Sequence, residues 1–261
     1  MKKILLLLFF VSFTFAQNQG LKLTLLNSSP LKATAFLGYD NFNSYYFVEN
    51  NVFTKNTTKE SWQYKNPSLG EITKVDLQNP LKIVLFYENF NSVVLLDNQL
   101  NEIQKINFSE NSIPIVAAAI GLSSGNKLWI YNSLSQQMGL FDYSRNDFQT
   151  LTSPFKGVLK YYQSNFNFFQ WIDENQNWFR CDVYGKVNFV GKIKDFDQIQ
   201  IIDDTHYIFE INKKMYLQDL KNNKNYPIEI NEKSFENFSF QDQILSIFTN
   251  QQITNYKITI P

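Results

Sequence analysis

The chain has little of what most catalytic and metal-binding sites are built from. Among 261 residues there is one cysteine, Cys181, and one histidine, His206. A lone cysteine excludes an intrachain disulfide framework. One Cys and one His cannot make a structural zinc or iron site. Only two arginines, Arg145 and Arg180, are present to hold anionic groups, and the nine glycines are scattered with no phosphate-cradling cluster. Charge of one sign is not in excess either. The 24 Lys+Arg balance the 24 Asp+Glu, which argues against a nucleic-acid partner. What is abundant is apolar and aromatic: 44% of the chain is hydrophobic and 16% is Phe, Trp or Tyr, enough for a large core.

The one long hydrophobic run is at the start. Lys2 and Lys3 precede Ile4–Phe10 (ILLLLFF), and Thr14-Phe15-Ala16 offers small residues before Gln17. This is the pattern of a secretory signal peptide over residues 1–16, too short for a membrane-spanning helix of about 20 residues. Without a cysteine at the cleavage point, a soluble, non-lipidated product over 17–261 is expected. Loss of Lys2 and Lys3 leaves 22 basic against 24 acidic side chains, a net charge of −2. The Lys-, Asn-, Ile- and Phe-rich composition suggests a bacterial source, hence a periplasmic destination, with an extracellular or outer-membrane-associated one as the alternative.

From Leu21 onward no stretch of a dozen residues has helical periodicity. Short runs such as Lys82–Tyr87 (KIVLFY), Lys127–Tyr131 (KLWIY), Tyr207–Ile211 (YIFEI) and Ile244–Phe248 (ILSIF) alternate with turn residues. Asparagine, present 31 times, is favoured in turns because it tolerates left-handed backbone and bonds its own main chain. The fold class is therefore all-β, as a propeller, a sandwich or a half-open barrel.

Repetition favours the first. An apolar strand ending in an acid, a polar turn and a second strand recur at Asp97, Asp142, Asp182 and Asp219, spaced by 45, 40 and 37 residues. Glu49 stands 48 residues before Asp97, and Gln252–Lys257 repeats the strand without the acid. Tyr39–Ser44 (YDNFNS) matches Tyr87–Ser92 (YENFNS), and the match is read as two copies at one phase of the repeat. A unit of about 40 residues with four short strands is the signature of a propeller blade. In these repeats the chain resembles exported six-bladed β-propellers over nearly its whole mature length. It lacks the Gly-His and Trp-Asp pairs of WD40 repeats, the paired glycines of kelch repeats and the Asp-box motif. Six blades are expected, with five or seven as alternatives. The strand Leu21–Leu26 would close the ring by joining the last blade.

Few residues carry chemistry. His206 follows Asp203-Asp204-Thr205 and would be a base oriented by Asp204, but no Gly-x-Ser-x-Gly accompanies it; a turn residue is the simpler reading. Cys181, within an apolar strand, reads as core. Asp173-Glu174, Asp195/Asp197 and Asp203-Asp204 are the acid pairs a glycoside hydrolase would need, yet they fall in turns. The repeated anchors read as turn stabilisers. No cofactor or metal is expected. The remaining candidates are Asn41, Phe42, Asn43, Asn89, Phe90 and Asn91, two Phe-tipped loops expected side by side on one face as an aromatic anchor for another protein. Polar loops at Ser133–Gln137, Glu174–Asn177, Asn212-Lys213 and Asn250–Gln252 would form the rim. The function expected is a non-enzymatic interaction module of the cell envelope, such as an accessory or plug subunit of an outer-membrane channel or secretion translocon. The alternatives are carbohydrate binding by exposed Trp171 or Trp178, and hydrolysis by the acidic loops.

Overall fold

The computed structural model describes residues 21–260 except residue 156. The export segment therefore lies outside the described residues. Twenty-four strands form six four-stranded antiparallel sheets arranged in a ring, a six-bladed β-propeller. After β1 (Leu23–Pro30), blade 1 comprises β2 (Ala35–Tyr39), β3 (Tyr45–Glu49), β4 (Val52–Asn56) and β5 (Ser61–Tyr64). Blade 2 is β6 (Lys74–Asp76), β7 (Ile83–Tyr87), β8 (Ser92–Leu96) and β9 (Glu102–Asn107). Blade 3 is β10 (Ala117–Leu122), β11 (Lys127–Asn132), β12 (Gln137–Asp142) and β13 (Asp147–Thr150). Blade 4 is β14 (Leu159–Ser164), β15 (Phe168–Asp173), β16 (Asn177–Asp182) and β17 (Val187–Lys192). Blade 5 is β18 (Gln198–Ile201), β19 (His206–Ile211), β20 (Lys214–Asp219) and β21 (Lys224–Ile228). Blade 6 takes β22 (Asn237–Gln241), β23 (Ile244–Phe248) and β24 (Gln252–Ile258), and β1 is its outermost strand, with Leu23 opposite Ile258 and Pro30 opposite Gln252. The expected closure by the N-terminal strand is what the chain does.

Each blade is buried on both faces because its neighbours cover it. Every residue of β7 and β8 is buried, against almost none of β1. The apolar clusters accordingly lie between blades. Val84, Phe86, Val93 and Leu95 of blade 2 pack with Ile120, Leu128, Ile130 and Phe141 of blade 3, and similar clusters fill the next interfaces. The interface between blades 6 and 1 is the thinnest, with only Leu31, Ala33, Phe36, Phe248 and Ile253 buried in its cluster.

Polar stitches complete the ring. Lys55 Nζ donates to Asn98 O (2.9 Å) across blades 1 and 2. Asp76 Oδ2 accepts from Leu122 N (2.7 Å) across blades 2 and 3. Trp129 Nε1 donates to Asn165 O (2.9 Å) across blades 3 and 4, and Gln163 Nε2 to Ile201 O (3.2 Å) across 4 and 5. The Gln200 amide both donates to Phe240 O and accepts from Phe240 N, each at 2.7 Å, across 5 and 6. Asn237 donates to Phe36 O across the closing seam. These bonds satisfy polar groups that blade packing would otherwise bury unpaired.

An antiparallel meander puts its first–second and third–fourth turns at one end. The second–third hairpins and blade-to-blade connections lie at the other. We call these ends the turn face and the connection face. Four third–fourth turns begin at Asp97, Asp142, Asp182 and Asp219, so the repeated acids do share one structural position. Each carboxylate accepts main-chain N–H groups of its own turn: Gln99 and Asn101 at 2.8 Å for Asp97, Tyr184 and Lys186 at 2.9 and 3.0 Å for Asp182. Glu49 is not a member of the set. It ends β3, the second strand of blade 1, and Thr57 occupies the equivalent turn, its Oγ1 accepting from Lys59 N and Glu60 N.

Candidate functional site

The two matched loops do not meet. Tyr39–Ser44 joins the first and second strands of blade 1, on the turn face. Tyr87–Ser92 joins the second and third strands of blade 2, on the connection face. The single cluster expected of Phe42 and Phe90 is therefore corrected: the resemblance is one of turn chemistry, shifted by one strand. The blade 1 counterpart of the Phe90 loop is Asn50-Asn51, a two-residue turn with both residues at positive φ (50° and 61°).

Around Phe90 the connection face is apolar. Phe90 is half exposed, and its ring lies over Gly70, where a Cβ would come within 2.9 Å of it. Val116 (48% exposed) and Leu134 (64%) are exposed on the same face. Two asparagines fasten the three together. Asn91 Nδ2 donates to Ile115 O (2.7 Å) while its Oδ1 accepts from Ala117 N (2.9 Å). Asn132 Oδ1 accepts from Val116 N (3.0 Å) and from Leu134 N (3.1 Å), and its Nδ2 donates to Pro114 O (3.0 Å). Ser133 adds two bonds to Val116 O, from its N–H and its hydroxyl. Three exposed apolar side chains, from the blade 2 hairpin, the connection between blades 2 and 3, and the blade 3 hairpin, thus stand on one hydrogen-bonded frame. Asn89 is exposed at the same tip. Leu134 and Val116 escaped sequence reasoning because an isolated Leu or Val in a turn carries no signal until the fold places it beside another.

Phe42 is 73% exposed on the other face. Asn41 and Asn43, its neighbours, line a cleft of about 580 Å³ at the seam of blades 1 and 6. A second hollow of about 500 Å³ lies between Leu151–Phe155 and blade 4. Trp171 reaches its wall but is 3% exposed, stacked between Phe155 (4.8 Å) and Phe179 (5.5 Å), and Trp178 is fully buried. Neither tryptophan presents a free face to a sugar.

The titratable candidates are structural. His206 opens β19, and its Nδ1 is 3.0 Å from Asp203, while Asp204 instead pairs with Arg180. Burial would raise the Asp203 carboxyl, but bonds from Thr205 and His206 outweigh it and hold the group below its ordinary range. Cys181 is buried, and burial pushes its thiol up to about 12; it is no nucleophile at neutral pH. Asp173 accepts from Asn175 N and Asn177 N, Asp195 pairs with Lys160, and Asp197 accepts from Asn212 N. Asp173-Glu174 and Asp195/Asp197 lie on the connection face, where Gln176 Nε2 also donates to Asp195 (3.2 Å), and Asp203-Asp204 lies on the turn face, so the three acid pairs do not share one site. Near the axis, burial pushes the Asp76 carboxyl up and the Lys74 ammonium down. Asp76 is bonded to Leu122 N and Gln78 N, and Lys74 lies over the Tyr162 ring at 5.0 Å, so the pair links inner strands of three blades. Among the described residues no group of three or more His, Cys, Asp or Glu is placed to hold a metal ion.

No family model matches the chain. No curated protein matches it either. Solved structures do. The Myceliophthora thermophila Cps50 (Swd1) β-propeller domain aligns with TM-score 0.60 at 8% identity, covering 91% of this chain and 100% of that one. A catalytically inactive virginiamycin B lyase from Staphylococcus aureus, crystallised with quinupristin, aligns with TM-score 0.58 at 12% identity over 92% and 100%. BamB from Moraxella catarrhalis aligns with TM-score 0.51 at 10% identity over 90% and 100%. At such identities the likeness is one of fold. These neighbours include an enzyme and non-enzymes, so the fold alone selects neither.

Proposed function

We propose that the chain is an exported, non-enzymatic propeller that docks another protein on its connection face, with Phe90, Val116 and Leu134 as the anchor. The observation that carries this is the frame. Asn91 and Asn132 fix the main chain around three exposed apolar side chains, so docking orders little that is not already ordered. Exposed apolar side chains on a face that also carries the polar hairpins Glu174–Gln176 and Asn212-Lys213 combine an aromatic anchor with polar surroundings, as binding hot spots do. The non-enzymatic reading is supported by Asp173, Asp195, Asp197, Asp203 and Asp204, each engaged by main-chain N–H groups or in an ion pair, and by a buried, high-pKa thiol. Export rests on the sequence of residues 1–16. On that basis the partner belongs to the cell envelope, and an outer-membrane channel or secretion translocon is the kind of assembly such a subunit would serve.

The test is recovery of the partner from the native envelope. Phe90→Ser with Leu134→Ser is expected to abolish co-purification while Phe42→Ser leaves it intact. Equal recovery with all variants would remove the assignment. No helix among the described residues is long and apolar enough to cross a membrane.

A further inference from the structure

The buried apolar cluster is smallest where the ring closes, and a cleft opens beside it. The buried apolar cluster between blades 6 and 1 holds five residues. Beside it the cavity of about 580 Å³ opens on the turn face, within the range of small-molecule sites. Its walls come from both chain ends, brought together by the pairing of β1 with β24.

The lining combines two tyrosine rings, neutral amides and hydroxyls with the aliphatic side chains of Leu26 and Ile244. Tyr39 and Tyr45 present two rings with centroids 5.9 Å apart and inclined at 53°. Burial raises the Tyr39 phenol, so it stays a neutral hydroxyl at ordinary pH. Amides and hydroxyls supply ten of the other fourteen residues: Asn41 and Gln241 bond each other across the mouth, and the Asn43 side chain makes no hydrogen bond among the described residues. Deeper in, Asn255 is 7% exposed, and its Nδ2 donates to Asn27 Oδ1 (2.9 Å) and Tyr39 Oη (3.1 Å) while its Oδ1 accepts nothing. The Ser239 and Ser246 hydroxyls lie on the same wall.

Charge is almost absent. No lysine or arginine lines the cleft, so nothing there favours an anion. Of its two carboxylates, Asp40 is spent: it accepts from Phe42 N (2.8 Å), Ser44 N (2.9 Å) and Tyr46 Oη (2.7 Å). Aromatic rings beside neutral amides and hydroxyls suit a ligand that offers apolar C–H faces and many hydroxyl groups. We infer that the seam cleft binds a neutral oligosaccharide. The site is independent of protein docking on the connection face. Together the two would make the propeller an adaptor holding a protein on one side and a glycan on the other.

The test is calorimetric titration of the purified mature protein with maltotetraose, cellotetraose and chitotetraose, alongside trigalacturonate and tetraglycine. At least one neutral sugar should bind with Kd of about 1 mM or tighter. Tyr45→Ala and Gln241→Ala should each weaken it about tenfold, and Phe90→Ser should not. Gln241 lies at the mouth, and a melting curve for each variant keeps loss of fold separate from loss of ligand. The inference is overturned if no neutral sugar binds at about 10 mM, if the cleft variants bind as the parent does, or if trigalacturonate or tetraglycine binds more tightly. None of these outcomes bears on partner recovery through Phe90.

Discussion

Tyr39–Ser44 and Tyr87–Ser92 differ at one of six positions, Asp40 against Glu88, and they lie on opposite faces of the ring. Locally they are the same turn: Asn43 N donates to Asp40 O and Asn91 N to Glu88 O, with both asparagines at positive φ (62° and 48°). What differs is where the polar atoms go. In blade 1 the turn is held from its start, by a buried aspartate that accepts three bonds. In blade 2 the longer Glu88 stays exposed, and the turn is held from its end, by Asn91 reaching across to the connection between blades 2 and 3. The first arrangement spends its acid within the loop, takes one side-chain bond from Gln241 of blade 6 at Asn41, and leaves Phe42 73% exposed. The second ties its loop to a neighbour and sets Phe90 over Gly70 on the same face as Val116. A sequence word therefore determines a turn, while its position in the meander determines what the turn can do.

The sharpest way to break this contrast is at the differing position. Asp40→Ala should cost about 2 kcal/mol of unfolding free energy in a urea titration, because Tyr46 Oη and two N–H groups lose their acceptor. Glu88→Ala should stay within about 0.5 kcal/mol. Gly70→Ala should come next, at about 1–2 kcal/mol, since φ is +70° and the new methyl meets the Phe90 ring. The same substitution should displace Phe90 and weaken partner recovery, an effect with no counterpart near Phe42. Glycine at the two left-handed asparagines keeps the backbone and removes only the side chain. Asn91→Gly should therefore cost about 1 kcal/mol, and Asn43→Gly close to nothing.

The smallest effect concerns acid. Hydrogen bonds from the Asn101 and Ser144 side chains, aided by main-chain N–H groups, hold the Asp97 and Asp142 carboxyls below their ordinary range. A depressed folded-state pKa contributes stability that is present above the unfolded value of about 3.9 and lost as pH falls through the folded one. The melting temperature should thus fall on acidification below about pH 4. Asp97→Asn, which keeps an acceptor but cannot titrate, should flatten that fall slightly; an unchanged profile would mean the turns do not depend on charge.

Much of the architecture was legible in the sequence for a physical reason. Four of the six blades carry an acid at one turn position, so Asp97, Asp142, Asp182 and Asp219 recur at the blade period and point to the fold, whereas the count of six also takes in Glu49, which lies at a different phase. Phase was harder. Glu49 and the Tyr39–Ser44 loop resemble later residues because short hairpins draw on the same Asn, Asp and Glu chemistry wherever they fall, and one strand of slippage exchanges one face for the other. Thr57 in the true blade 1 turn hid the correct phase behind a hydroxyl. Of the six candidate residues, Asn89, Phe90 and Asn91 lie at the proposed docking face, while Asn41 and Asn43 line the seam cleft and Phe42 stands beside it. Val116, Leu134 and the cleft residues of blade 6 were invisible, since nothing in a linear pattern links positions brought together only by ring closure.

Photo-crosslinking from residue 134 compared with residue 42, in otherwise native protein within its own envelope, tests the assignment of faces most directly. A crosslinker at Leu134 should capture one discrete partner, and the same group at Phe42 should not. Capture from Phe42 and none from Leu134 would contradict the connection face as the docking surface.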